Sequence, residues 1–197
     1  MARGKIELGD VLNFFEYEKV RAAMRERVID AKRVRRVTVG PYLSFVFENR
    51  DTVLFQIQEM CRVERITADE KIQDELDVYN ALLPSPGELS ATLMIQIADK
   101  DQIKSVLDRF MGIDIGRRVW IAVGKDLVVP GEFEAGHSDQ EKGKQAAVHF
   151  VRFPFSPAAV AAFGNAPAAL VVDHPAERGR TELSAQTQAA LLEDLRG

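Results

Sequence analysis

The chain has 197 residues, 46% of them hydrophobic and 28% charged, and a formal net charge of -4. That composition belongs to a soluble globular protein with one substantial core, and it excludes disordered, fibrous and membrane-spanning chains, since no apolar run approaches the roughly 20 residues of a span. The single cysteine, Cys61, excludes an internal disulfide and a cysteine-based zinc knuckle and fits a reducing cytoplasm, and the opening MARGKIELGD carries no apolar leader.

In chain order, Asp10 is placed to cap a short turn. EYEKVRAAMRERVIDAKRVR (16–35) predicts a helix, because Val20, Ala23, Met24, Val28 and Ala31 recur at spacings of three and four. Between Lys19 and Arg36 stand eight basic residues (Lys19, Arg21, Arg25, Arg27, Lys32, Arg33, Arg35, Arg36) against Glu26 and Asp30, a local excess of six positive charges. Two readings follow: a surface for an acidic protein or RNA, or a solvated helix whose arginines pair with DEKIQDELD (69–77). Only Phe14, Phe15 and Tyr17 lie near its polar face and no nucleic-acid module is present, which weighs against nucleic acid.

RRVTVGPYLSFVFEN then predicts a hairpin about Gly40-Pro41. FENRDTVLFQIQEMCRVERI (47–66) predicts an amphipathic helix capped by Asp51 or Thr52, and ADEKIQDELDVYNALL a second one, stopped by Pro84. Beyond the SPGE turn, SATLMIQIA (90–98) reads as a buried strand and DKDQIKSVLDRFMG as a helix closed by Gly112. RRVWIAVG, KDLVVPGEF and AAVHFVRFPF (146–155) read as strands, and SPAAVAAFGN as a short helix. PAALVVDHP reads as a strand and LSAQTQAALLEDLR as a terminal helix capped by Ser184. The polar stretch 131–145, which holds His137, reads as a mobile loop. Helices come first and strands later without regular alternation, so the expected fold is α+β: N-terminal helices packed on a mainly antiparallel β-sheet. The expected organisation is a single domain over 1–197, helical to about residue 84 and sheet-rich from about 85.

Phosphate-cradling glycine loops, dinucleotide fingerprints, HExxH, GxSxG, CxxC pairs and the di-iron Glu-x-x-His element are all absent from the sequence. What stands out instead is polar residues in apolar settings. On 47–66 the stripe Val53, Ile57, Met60 continues to Glu64, which places that carboxylate toward the core. On the next helix Glu75 borders the stripe Ile72, Leu76, Tyr79, Leu83. A carboxylate withdrawn from water needs a partner or a shifted pKa; Arg62, three residues after Glu59 and four after Gln58, is one, and Arg50 and Arg152 are others. Such groups either lock two helices together or wall a pocket. His149 lies mid-strand with Arg152 on the opposite face, and His174 ends a strand. Asp173 is poorly placed to orient His174 and better placed to serve His149. Histidines of this kind are ordinarily hydrogen-bonded core residues, but together with a glutamate they would make an oxygen/nitrogen metal site. Cys61, beside Met60 on the apolar side, reads as a core thiol.

The ordered set KRVRRVTVGPYL, FENRDTV, QIQEMCRVERI, QDELDVYN, ATLMI, VHFVRF and VVDHP resembles, over nearly the whole chain, a bacterial family catalogued only as a domain of unknown function. Relatives are associated with gene neighbourhoods encoding rubrerythrin-like and iron-sulfur proteins, so the resemblance implies a redox or peroxide-stress setting and a redox or iron-sulfur protein partner. Two departures stand out: Pro154 occupies a position where the pattern has an acid, and EKGKQAA stands where it has Lys-Thr-Ser. The expectation is then a small-ligand- or metal-binding accessory protein of bacterial redox or iron metabolism. Its polar pocket would draw on Glu48, Arg50, Gln58, Glu59, Arg62, Glu64, Glu75, Tyr79, His149, Arg152 and Asp173, and a metal on His149, His174 and Glu59. The alternative is a protein- or RNA-interaction module built on the Arg-rich helix 19–36. An enzyme with Glu59 or Glu64 as general base would need a raised carboxyl pKa.

Overall fold

The computed structural model describes residues 4–134, 138, 139 and 144–196. His137 and most of the polar stretch around it lie outside the described residues. After a 3-10 turn at Leu8–Asp10 come α1 (Phe14–Arg35), β1 (Arg36–Val39), β2 (Leu43–Phe47), α2 (Arg50–Val63) and α3 (Asp69–Tyr79), the last running into a 3-10 turn at Asn80–Leu82. The remainder is β3 (Glu88–Ile95), α4 (Ile103–Arg109), β4 (Val119–Val123), β5 (Leu127–Pro130), β6 (Glu132–Phe133), β7 (Ser138–Asp139) and β8 (Lys144–Gln145). It continues with β9 (Val148–Pro154), α5 (Pro157–Phe163), β10 (Ala168–His174), β11 (Glu177–Glu182) and α6 (Ala185–Arg196). The fold is α+β, and no described helix is long and apolar enough to cross a membrane.

The described strands form a five-stranded sheet, β1-β2-β3-β9-β6, a four-stranded sheet, β11-β10-β4-β5, and the small ribbon β7-β8. Every pairing is antiparallel. The five-stranded sheet divides the molecule. Its inner residues Phe45, Phe47, Leu93, Val151 and Phe153 join Ile121, Leu170 and Val172 of the other sheet, together with Phe110, Phe163 and Leu191 from helices, in one large core. Its opposite face, through Phe150, meets a smaller core of Ile6, Val53, Ile57, Cys61, Leu76 and Leu82 from α2, α3 and the N-terminal segment. Covered on both faces, β2 is buried at every position, which is why LSFVF is apolar without strict alternation.

Several local expectations shift. Asn13 caps α1, accepting from the Glu16 N–H at 3.1 Å; Asp10 serves the short turn before it, accepting from Glu7 N–H at 2.8 Å. The inner face of α1 is Tyr17, Val28 and Arg35, while Val20 and Ala23 point outward. The helix buries two polar-tipped residues that have partners elsewhere, so the apolar count alone misplaces its stripe. Asn49 caps α2 in a reciprocal arrangement with Thr52, in place of Asp51 or Thr52. Ser184 does cap α6, through Thr187 N–H at 3.1 Å. The strand β11, ERGRTE, has no apolar residue to announce it; it is an edge strand, and charge on an edge blocks further pairing. In the β1-β2 turn Gly40 has φ +62, and a Cβ there would overlap the Glu177 carboxylate.

Candidate functional site

Glu59 is the centre of the polar region that the helices build. Its Oε1 accepts from the Tyr17 hydroxyl at 2.7 Å and from Arg21 Nε at 2.7 Å, and its Oε2 from Arg21 Nη2 at 2.9 Å. Arg62, one turn on, adds two longer bonds of 3.3 Å to the same carboxylate. Tyr17 and Arg21 stand four residues apart on α1, so one face of that helix presents both groups to α2. The Arg21 hydrogen bonds, outweighing partial burial and aided by Tyr17 and Arg62, lower the Glu59 pKa to about 2. Burial first, and then the Glu59 carboxylate, raises that of the Tyr17 phenol. A carboxylate held this firmly in its charged form is the reverse of what a general base near neutrality requires.

Beside Glu59, the fully buried amide of Gln58 grips the N-terminal segment. Its Oε1 accepts from Leu12 N–H at 2.8 Å and its Nε2 donates to the Leu12 carbonyl at 3.1 Å. Asn80, at the end of α3, does the same to Ile6, with bonds of 2.8 and 2.9 Å. Two side-chain amides thus satisfy backbone groups on either side of the 3-10 turn at Leu8–Asp10. Arg50 fixes the same segment through Asp10, at 2.6 Å; the Glu7 N–H and then Arg50 hold the Asp10 carboxyl below its ordinary pKa.

Under this strap lies a cavity of about 160 Å³ between residues 8–14, α2 and the start of α3. Leu8, Val11, Leu12, Phe14, Ile66 and Ile72 give it an apolar wall; Tyr17, Gln58, Cys61, Arg62, Thr67 and Asp69 supply the polar points. Cys61 is a wall residue, and burial, reinforced by the nearby Glu75 charge, raises its pKa, which lowers its reactivity as a nucleophile. A larger groove of about 610 Å³ runs by Lys5, Glu7, Gln73, Asp77 and Asn80, but charged and amide groups dominate its lining.

The remaining sequence candidates do not join this site. Glu48 is buried and accepts from Thr92 at 2.8 Å, from Gln56 at 3.3 Å and from Thr52; it ties α2 to β3. Arg152 bonds Glu88 and the carbonyls of Ala81 and Leu83, fastening the end of α3 to β9. Glu75 and Tyr79 flank Cys61 on α3 outside the cavity lining, and burial raises the Tyr79 pKa. Glu64 does not face the core: α2 stops at Val63 and Glu64 is an exposed cap residue. The chain leaves through Arg65 at φ 55, with Ile66 N–H on the Cys61 carbonyl at 2.9 Å, so the apolar stripe ended before it reached Glu64.

The expected metal set does not assemble. Glu59 belongs to the helical side, whereas His149, fully buried, shares the inner face of β9 with Val151 and Phe153. Its Nδ1 is 3.7 Å from Asp114 and its Nε2 3.0 Å from the Ala146 carbonyl, with Phe133 edge-on to the ring. His174 stacks on Phe110, with Nε2 3.1 Å from the Met111 carbonyl and Nδ1 accepting from Ala176 N–H; burial lowers its pKa. Among the described residues no three His, Cys, Asp or Glu side chains gather to hold an ion. Asp173 does not serve His149: it is exposed on β10 and pairs across the strand with Arg178 at 3.0 Å. The Arg-rich helix does not use the acidic stretch 69–77. Arg35 makes a buried two-pronged pair with Asp194 on α6, Arg21 goes to Glu59, and Arg33 to Asp30 on its own helix. The residues that sequence reasoning passed over, Tyr17, Arg21 and Leu12, belong to the N-terminal segment; the spacing of Tyr17 and Arg21 was the available signal.

The family model described as "Protein of unknown function (DUF3501)" matches residues 5–195. A crystal structure from Burkholderia pseudomallei K96243, described as a novel protein of unknown function, is similar with a TM-score of 0.89 and 32% identity, covering 98% of this chain and 100% of that one. No curated protein is similar enough to count as a match.

Proposed function

The chain belongs to the DUF3501 family, a family of proteins of unknown function, and on that premise we propose that it binds a small organic ligand in the cavity beneath residues 8–14. The observation that carries this reading is a partly open cavity of about 160 Å³ whose lining is more apolar than polar and includes Arg62. A cavity of about 150 Å³ lined by apolar side chains accepts a benzene-sized molecule. Arg62 spends two of its five N–H donors on Glu59, both at 3.3 Å, which leaves donors for a ligand anion. The ligand class is therefore a compact carboxylic acid with an aromatic or branched apolar body. The donor chemistry favours an organic ligand over a metal ion, because both Glu59 oxygens are already engaged and His149 faces the opposite side of the sheet. The redox or iron setting, and a redox or iron-sulfur partner, enter the proposal through the family resemblance alone.

The test is thermal melting against a panel of aromatic and branched-chain carboxylates. A ligand at 100 times its Kd stabilises by about 2.7 kcal/mol. Ile72→Phe, which fills the cavity, removes the shift, and a bound ligand slows alkylation of Cys61. A panel that leaves the melting temperature unchanged, or a shift that survives Ile72→Phe, contradicts the proposal.

A further inference from the structure

The outer face of α1, opposite Tyr17 and Val28, is apolar at heptad spacing: Phe15, Ala22 and Ile29, with Phe15 78% and Ile29 45% exposed. Beside this stripe stand Glu18 and Arg25 on one flank and Lys19 and Glu26 on the other. All four charges are exposed. None forms an ion pair with another described residue, in contrast to Arg21, Arg33 and Arg35 of the same helix. Glu26 has no basic residue three or four positions away in either direction, so α1 itself cannot satisfy it.

We infer that this face docks on the same face of a second copy of the chain, antiparallel, about a two-fold axis at Ala22. In that register Phe15 meets Ile29 of the second copy and Ala22 meets Ala22, and the small central residue lets the helices approach to about 8 Å. A two-fold perpendicular to antiparallel helices brings like flanks together. Lys19 then falls within one residue rise, about 1.5 Å along the axis, of the second copy's Glu26, and Glu18 within the same distance of its Arg25. Each pair occurs twice, every one of opposite sign. The charge pattern selects the occupant: an acidic protein or RNA would leave Glu18 and Glu26 facing like charge, and only a partner with this same alternation satisfies all four groups. The pairing is independent of the cavity and of any ligand in it.

The experiment is a charge-swap cycle read by light scattering and sedimentation equilibrium, from micromolar to near-millimolar chain, with far-UV circular dichroism confirming that each variant is folded. Lys19→Glu alone and Glu26→Lys alone each turn two attractive contacts into repulsive ones and weaken the dimer by about tenfold or more. The double variant, carrying both reversals, restores it. Ile29→Asp abolishes it. A wild-type chain that stays monomeric over the whole range overturns the inference, as do single reversals without effect or a double variant that fails to recover.

Discussion

The two faces of the five-stranded sheet hold similar residue types and use them in opposite ways. On the inner side His149 of β9, and across the core His174 of β10 in the four-stranded sheet, are enclosed among Phe133, Phe110 and the main core, with carbonyls and Asp114 around their rings. On the helical face Glu59, Arg21 and Arg62 keep about a quarter to a third of their side-chain surface in solvent, and Arg62 stands on the wall of a cavity. Adjacent residues of β9 show the divide: Phe150 packs with the helical core while His149 points to the other side. A titratable group enclosed in a dry core serves as scaffold, because its burial demands that its bonding capacity be consumed. A site needs donors beside open space, and among the described residues Arg62 on the helical face lines such a cavity.

The comparison breaks most readily at the inner face. His149→Ala removes a fully buried ring and is expected to cost about 3 kcal/mol in urea unfolding, while leaving any ligand-induced melting shift intact; loss of that shift in a folded variant would move the site to the inner face. Glu59→Gln follows, at about 2 kcal/mol, since two arginines lose their carboxylate. It also changes the acid limb. The Glu59 pKa is depressed from 4.5 to about 2, so its contribution is complete above about pH 4.5 and is lost as pH falls toward 2. Unfolding across that window should be shallower in the variant, and an unchanged pH profile would show that Glu59 is not held as described. His174 acts earlier. Its folded pKa lies below the ordinary 6.5, so the neutral ring stabilises the fold above that pH, and stability declines as pH drops through the folded value. His174→Gln should remove that first decline and spare the second.

Two smaller effects sharpen the same contrast. Ile72→Phe should change stability by less than about 1 kcal/mol, because it fills existing space, yet abolish ligand binding; a large stability loss would mean that the cavity is not there to be filled. Arg65→Gly should stabilise by roughly 0.5 kcal/mol or a little more, since Arg65 holds the left-handed conformation that glycine adopts without a Cβ penalty. Chemical denaturation resolves both.

The helices and most strands were legible from periodic or continuous runs: VHFVRF alternates, LSFVF and AALVV are β-rich runs buried at nearly every position, and all three became strands. β11 was not, because an edge strand with charged residues at alternate positions carries no apolar signal. Within the site, the three-residue spacing of Glu59 and Arg62 announced their ion pair, while Gln58 turns instead to the Leu12 peptide; Gln58 and Arg62, but not Glu59, line the cavity. Glu64 misled because an apolar stripe does not reveal where its helix ends, and the left-handed residue after it is an arginine, not the usual glycine. The spacing of Tyr17 and Arg21 put them on one helix face, but that this face meets Glu59 and that Gln58 clasps the Leu12 peptide are tertiary facts that no local pattern encodes. Asp173 and His149 were linked by residue chemistry alone; the β10 register instead gives Asp173 an exposed arginine.

The most direct measurement is an NMR titration of the labelled chain with the carboxylate that raises its melting temperature most. The expected result is shifts at Leu12, Gln58, Cys61, Ile66 and Ile72, saturating together, with His149 and His174 unmoved. Shifts centred on the two histidines, or spread over both faces of the sheet, would contradict the assignment of the site to the helical face.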